Sequence, residues 1–462
     1  MQYQCVQCNE LFAWDSSDKP RCPKCLRQHG LRPIEAAKIS PPARRWLAPT
    51  LGVFVIAAAV GGYAFYRQAH KHPAGHPPLA PIDLDALRED VRALAGVDAG
   101  DLTTLLHADA KVEAFAEQAS KGAASNAAKA KAIVAALQAR ERKQAFVLWP
   151  RSEARATPPL TAAGVAAAID KDGARHPLYP LEVSALAVAA LRSVDVPAML
   201  AEVYRYPNER APLDPTGRLG YYGVFVPSSS GGEVLDAYGG RPTAAISGNY
   251  GVLTDVEAVG AALTERAVYR LEGVVDPKGG LADADIAVKL WPRSPATRGA
   301  RAAALLATGG IEAGTRELDD AAQLRNDAPR HNNLAVLGLV SGDANAAAKE
   351  ISIALSEFPD YALAHVTLAS VHLMRGERDE GLVEIEQAER LEPSLALLPQ
   401  LWAEFYASDN EFDRAIPKAL EAVQHKPKDP QAHLLLARIY RAAGRYDDMR
   451  AQAREILEAA TP

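Results

Sequence analysis

The residues best suited to chemistry in this chain are its four cysteines, all inside the stretch CVQCNELFAWDSSDKPRCPKC. Cys5 and Cys8 form one Cys-x2-Cys pair, Cys22 and Cys25 form a second, and thirteen residues separate the pairs. Each pair sets two thiolates on one tight turn, and two such turns supply the tetrahedral four-sulfur shell that zinc favours. The spacing predicts one structural Zn2+ held by Cys5, Cys8, Cys22 and Cys25. Four thiolates leave no open coordination position, so this ion would not be catalytic. A segment of about thirty residues buries too little for a core of its own, and metal binding would supply its folding free energy. A disulfide pair is the competing reading, for which this pattern is the poorer match. His29 lies nearby, but a further ligand is not needed.

The segment resembles the zinc ribbons at the N-termini of many bacterial membrane-anchored proteins. It spans residues 1–32, with a linker at 33–45. Residues 46–66, WLAPTLGVFVIAAAVGGYAFY, carry no charge. Their length suits a helix crossing ~30 Å of hydrocarbon. Trp46 stands at one end and Tyr63, Phe65 and Tyr66 at the other, where interfacial aromatic residues are expected. A cleaved signal peptide is the alternative, and it fits less well with a folded module in front of the run.

Basic residues set the direction. Arg27, Arg32, Lys38, Arg44 and Arg45 precede the span, against Arg67 and Lys71 after it. The positive side stays inside, which predicts a cytosolic N-terminus and a periplasmic body at a bacterial inner membrane. Thiolates survive in the reducing compartment, and no cysteine follows Cys25. The whole chain has a formal charge of −6 and residues 1–45 hold eight Lys/Arg against four Asp/Glu, which leaves −10 beyond the span. An acidic body argues against nucleic-acid binding there.

Residues 67–81 form a Pro-rich linker in which His70, His72 and His76 read as solvated side chains rather than ligands. Farther on, Pro359, Pro393 and Pro427 recur every 34 residues, and Pro295 and Pro329 share that spacing. The units AHVTLASVHLMRGERDEGLVEIEQAERLEP and AHLLLARIYRAAGRYDDMRAQAREILEAATP align in register. This period resembles the tetratricopeptide repeat, with large–small pairs at Leu368–Ala369, Trp402–Ala403 and Leu436–Ala437. Residues 295–462 are therefore expected to form an α-solenoid, its first unit degenerate. If the family pattern carries over, the concave face presents Asn332, Val336, Val366, Ser370, Gln400, Glu404, Leu434 and Arg438 to a protein or peptide partner. His331, His365 and His433 share a repeat position, but such positions lie ~10 Å apart, too far for one ion, so interhelix packing is expected. Pro417 predicts a kink in a second helix.

Residues 82–290 make a middle domain, Ala-rich and helical at first. A buried helix is expected over 181–194, then strands at 198–206, 220–226 and 233–238. The run ALAVAALRSVDVPAMLAEVY looks like the core of the transglutaminase-like (papain-like) superfamily, with Asp195 where that pattern has glycine. The resemblance implies an α+β domain whose cysteine opens the helix, with a histidine and an aspartate on following strands. Here the nucleophile slot falls between Pro180 and Ser184, without cysteine, and the histidine slot falls on Tyr221 or Tyr222. Only Asp236 matches. Glu182, Ser184, Tyr222 and Asp236 would be a vestigial site, and acyl transfer should not run without thiolate and imidazole. Two rescues are open, Ser184 as nucleophile with His176 as base and Glu182 as acid or base, but an unactivated serine is a weak nucleophile and a glutamate at a helix start is more often held by the dipole.

The expected fold is multidomain and mainly α: zinc ribbon, one transmembrane helix, a degenerate transglutaminase-like domain and a repeat solenoid. The expected function is a membrane-anchored scaffold that is not an enzyme and takes no small-molecule substrate. The alternative is a peptide or cell-envelope hydrolase or acyltransferase with a substituted active site.

Overall fold

The structure is a computed structural model. It describes residues 2–5, 11–13, 31–34, 82–143, 158–170, 178–239 except 208 and 230, and 249–459 except 426 and 428. The chain divides into two units, Met1–Gly75 and His76–Pro462. Cys8, Cys22, Cys25, the 46–66 span, the 67–81 linker and His176 lie outside the described residues. Among the described residues no helix is long and apolar enough to cross a membrane.

In the first unit β1 (Gln2–Cys5) is the centre of an antiparallel three-stranded sheet between β2 (Leu11–Ala13) and β3 (Leu31–Ile34). Cys5, at the end of β1, pairs with Leu31.

Among the described residues the second unit opens with four α-helices, α1 (Leu84–Ala95), α2 (Ala110–Ser120), α3 (Asn126–Lys143) and α4 (Ala162–Asp170). The first starts where the Asp83 carboxylate accepts from the Asp85 and Ala86 amides, and stops where Gly96 turns left-handed at φ 76°. Next comes α5 (Pro180–Ser193), with proline in its first turn. It is buried from Leu181 to Arg192, its Glu182, Ser184 and Arg192 included, as the sequence led one to expect of a central helix.

Helix α5 lies on an antiparallel sheet of β4 (Met199–Val203), β5 (Tyr222–Val226), β6 (Glu233–Leu235) and β7 (Tyr250–Val252), ordered β6-β5-β4-β7. The sequence predicted three strands, each longer, and missed the three-residue β7. Alternation sends Leu200, Tyr222, Val224 and Val226 into the helical core. Ala201, Val203, Tyr221, Phe225 and Val234 build a second cluster on the other face. The sheet is therefore covered on both sides.

Helices α6 (Asp255–Val268) and α7 (Pro277–Leu290) pair with each other and lead into five further pairs. These are α8–α9 (Pro295–Ala307, Ile311–Leu324), α10–α11 (Ala328–Val340, Ala344–Glu357), α12–α13 (Ala362–Met374, Arg378–Leu391), α14–α15 (Leu398–Ser408, Phe412–His425) and α16–α17 (Pro430–Ala442, Tyr446–Ala459). The turn inside each pair needs one left-handed residue. Gly309, Gly342, Gly376 and Gly444 supply it, and Asn410 takes the same place in the fourth pair at φ 61°. Helix α15 runs on through Pro417.

Candidate functional site

Of the four residues of the vestigial site, only Ser184 and Tyr222 are joined by a hydrogen bond, through the Tyr222 carbonyl. The Glu182 carboxylate accepts from the Leu160 amide at 2.7 Å and the Tyr179 amide at 2.8 Å, so it ties the helix start to the preceding chain. Ser184 is fully buried and its hydroxyl donates to the Tyr222 carbonyl at 2.9 Å. The Asp236 carboxylate accepts from the Tyr221 hydroxyl at 2.9 Å and the Gly239 amide at 2.7 Å. Tyr221 faces the second cluster of the sheet, away from α5, whereas Tyr222 points into the helical core. The Tyr222 ring stands 6.5 Å from that of Trp291, and its hydroxyl has no hydrogen-bond partner among the described residues. Burial raises its pKa well above the usual phenol value. Glu182 and Ser184 are thus committed to backbone, while Asp236 bonds Tyr221, one of the two positions on which the histidine slot falls.

The LRSVDVPA turn has a clear structural part. Arg192 donates through Nε to the Ala198 carbonyl at 2.8 Å and clasps the Asp255 carboxylate through Nη1 and Nη2 at 3.1 and 2.8 Å. Asp195 sits left-handed at φ 59°, the conformation that a glycine in its place would adopt without strain.

On the repeats, the eight expected face residues split. Val336 and Leu434 are each 42% exposed and Arg438 is exposed, while Ser370, Gln400 and Glu404 are half-buried. Asn332 (5%) and Val366 (8%) are buried, which corrects their expected place on an open face. Asn332 Oδ1 accepts from the Thr367 hydroxyl of the next repeat at 2.8 Å, so it stitches neighbours together. Gln400 Nε2 donates to Glu404 at 3.2 Å, and burial raises the Glu404 pKa.

The recurrent histidines bridge the two helices of their own pair. His331 Nδ1 meets Glu350 at 2.7 Å, His365 Nδ1 meets Glu384 at 2.5 Å, and His433 Nδ1 meets Gln452 at 2.8 Å. In every case the partner lies on the second helix of the same pair. Pro399 and Lys418 replace this bond in the fourth pair.

What sequence reasoning missed is the junction between sheet and repeats. Glu202 on β4 is 1% exposed, and neither of its carboxylate oxygens has a hydrogen-bond partner among the described residues. Arg325 Nη1 stands 3.8 Å away, and burial raises the Glu202 pKa against the pull of Arg325 and Arg330. Arg325 also lies over the Tyr204 ring at 4.1 Å and bonds Asp327 at 2.5 Å. Asp327 in turn accepts from Arg330 at 2.9 Å. After β4 the chain runs across the repeats, where Arg210 pairs with Asp360. The Asp-Pro-Thr-Gly turn at 214–217 was the available local signal.

Strand β3 returns the chain beside Cys5 at Leu31, six residues after Cys25 in the sequence. Only Cys5 of the four lies among the described residues.

Comparison with protein families matches residues 406–462 to the tetratricopeptide repeat. No curated protein sequence matches the chain. Among solved structures, it is similar to a chain of the APC/C Cut9–Hcn1 hetero-tetramer at 14% identity and TM-score 0.37, over 43% of this chain and 40% of that one. It therefore spans less than half the length of that protein. A thermophilic TPR protein of Thermus thermophilus is 24% identical with TM-score 0.32, over 34% of this chain and 88% of that one. Pseudomonas aeruginosa pilF is 14% identical with TM-score 0.32, over 44% and 92%. The C-terminal part of this chain carries tetratricopeptide repeats in a mainly α fold.

Proposed function

We propose that the chain is a membrane-anchored scaffold that holds a protein partner on the first-helix face of its last repeats. The observation that carries this reading is the exposure of Leu434 and Arg438 on a packed repeat array. Glu404 and Gln400 continue that face one repeat earlier. Repeat arrays of this kind work as concave binding surfaces. The anchor would be the 46–66 segment, with a zinc ribbon of Cys5, Cys8, Cys22 and Cys25 in the cytosol and the repeats in the periplasm.

The helix–sheet body supports the scaffold as a degenerate transglutaminase-like domain without acyl-transfer chemistry. That part rests on the missing cysteine and on Ser184, whose hydroxyl is spent on the Tyr222 carbonyl. The test is co-purification from detergent-solubilised membranes of wild type beside the double variant Leu434→Glu, Arg438→Glu. The scaffold reading expects a stoichiometric partner with wild type only. The same partner at equal yield from both would overturn it. Protease treatment of spheroplasts tests the orientation, with the repeats cut and the ribbon protected if the assignment holds.

A further inference from the structure

Three successive main-chain carbonyls of the segment after β4 are taken up by repeat side chains. The Tyr361 hydroxyl donates to the Pro215 carbonyl. Asn333 Nδ2 donates to the Thr216 carbonyl at 3.1 Å, and Arg330 Nη2 to the Gly217 carbonyl at 3.3 Å. Tyr361 and Arg330 are themselves buried. Side-chain donors reading consecutive carbonyls is how a groove holds a peptide whatever its side chains.

The segment is preshaped for this contact. The Asp214 carboxylate accepts from the Thr216, Gly217, Leu219 and Gly220 amides at 2.8–3.1 Å, so the turn is held from within. Gly217 is left-handed at φ 67°. On the opposing helix α8, a Cβ at Gly299 would stand 2.3 Å from the Gly217 carbonyl oxygen. The notch that admits the turn exists because residue 299 has no side chain. Of the segment's two leucines, Leu213 is buried in the sheet's own cluster, not on the repeats. The repeats therefore grip it through polar groups. Those donors must be met by water or by another segment if it leaves.

We propose that the N-terminal ends of α8, α10 and α12 form a main-chain-reading peptide site. Its ligand class is a peptide that folds into an Asp-Pro-Thr-Gly turn, and residues 210–219 hold it closed in cis. The scaffold reading enters only in taking a partner's segment as the competitor. The cis occupancy stands on the contacts alone. In consequence the first repeats are closed in the resting protein, and partners meet the later repeats first.

The experiment replaces residues 210–219 of the full chain with a Gly-Ser segment of equal length. The probe is a fluorescein-labelled peptide of residues 209–220, read by fluorescence anisotropy. The replaced chain should bind it at least about 100-fold more tightly than wild type, because a tethered competitor acts at an effective concentration in the millimolar range. Asn333→Ala with Tyr361→Phe should remove that binding. Equal binding by wild type and the replaced chain, or none by a replaced chain with native circular dichroism, overturns the proposal.

Gly299→Leu in the otherwise unchanged chain is the second measurement. Filling the notch should speed trypsin cleavage after Arg210 and Arg218 by about 10-fold or more, since local opening sets that rate. An unchanged rate overturns the proposal. None of these results depends on Leu434 or Arg438, so failure here and failure of the scaffold reading are distinguishable.

Discussion

Removing the Arg192 guanidinium should cost the helix–sheet body about 3 kcal/mol. Its side chain is 3% exposed, whereas that of its partner Asp255 is 25% exposed. Breaking a buried pair by deleting one member typically costs about 3–5 kcal/mol, most of it from the stranded charge. In Arg192→Leu the stranded group is Asp255, which water reaches and which sits in the first turn of α6, where the helix dipole favours a carboxylate. The cost then falls near the lower bound, about 3 kcal/mol. In Asp255→Ala the stranded group is the guanidinium with almost no exposure, so the cost should be the larger of the two, about 4 kcal/mol. The double variant carries no stranded charge and should lose less than the sum of the singles by at least about 2 kcal/mol. Urea unfolding followed by circular dichroism reads these differences. A coupling below about 0.5 kcal/mol, as for independent sites, would refute the reasoning. So would Asp255→Ala proving the milder change.

Asp195→Gly should be neutral or stabilising by up to about 1 kcal/mol, and Asp195→Val destabilising by about 1–2 kcal/mol, because a left-handed backbone penalises a branched side chain. Thermal melting checks both. Glu202→Gln should alter the pH dependence of stability. Folding raises the Glu202 pKa, so the native state holds its proton more tightly, and stability from this group falls as pH rises above 4.5. Asp214, Asp327, Arg325 and Arg330 surround it and remain, so the readout is the difference between variant and wild type. The variant should lose less stability from acid to neutral pH, and parallel curves would contradict this. Asp236→Ala should lower stability by about 2 kcal/mol through the lost Tyr221 and Gly239 bonds. A peptidase or acyl-transfer turnover that wild type shows and a stably folded Asp236→Ala chain lacks would contradict the non-enzymatic reading.

Local signals in the sequence located the elements well. The apolar run at 181–194 became Pro180–Ser193, and the strands expected at 198–206, 220–226 and 233–238 became the shorter Met199–Val203, Tyr222–Val226 and Glu233–Leu235. The 34-residue period gave the helix pairs, including the degenerate first one at Pro295–Leu324. Strand β7 went unseen because three residues carry no alternation. Contacts distant in the chain were not legible. Nothing in the local pattern near Asn332 says that Thr367 will cover it, since repeat position alone cannot tell a face residue from one spent on the next repeat. Nor does the Asp-Pro-Thr-Gly turn announce that Asn333 and Tyr361, more than a hundred residues away, will hold its carbonyls. Glu202 falls inside the expected strand at 198–206 without any local mark, because its burial at 1% exposure beside Arg325 depends on a distant part of the chain.

The most direct test of the scaffold account is site-specific photo-crosslinking in intact cells. A photoreactive residue is placed at Leu434, on the open first-helix face, and in a second strain at Val383, which is 60% exposed on a second helix. The account predicts one discrete adduct from position 434, lost when Arg438→Glu is added, and none from position 383. Adducts of the same size and yield from both positions, or none from position 434, would contradict it.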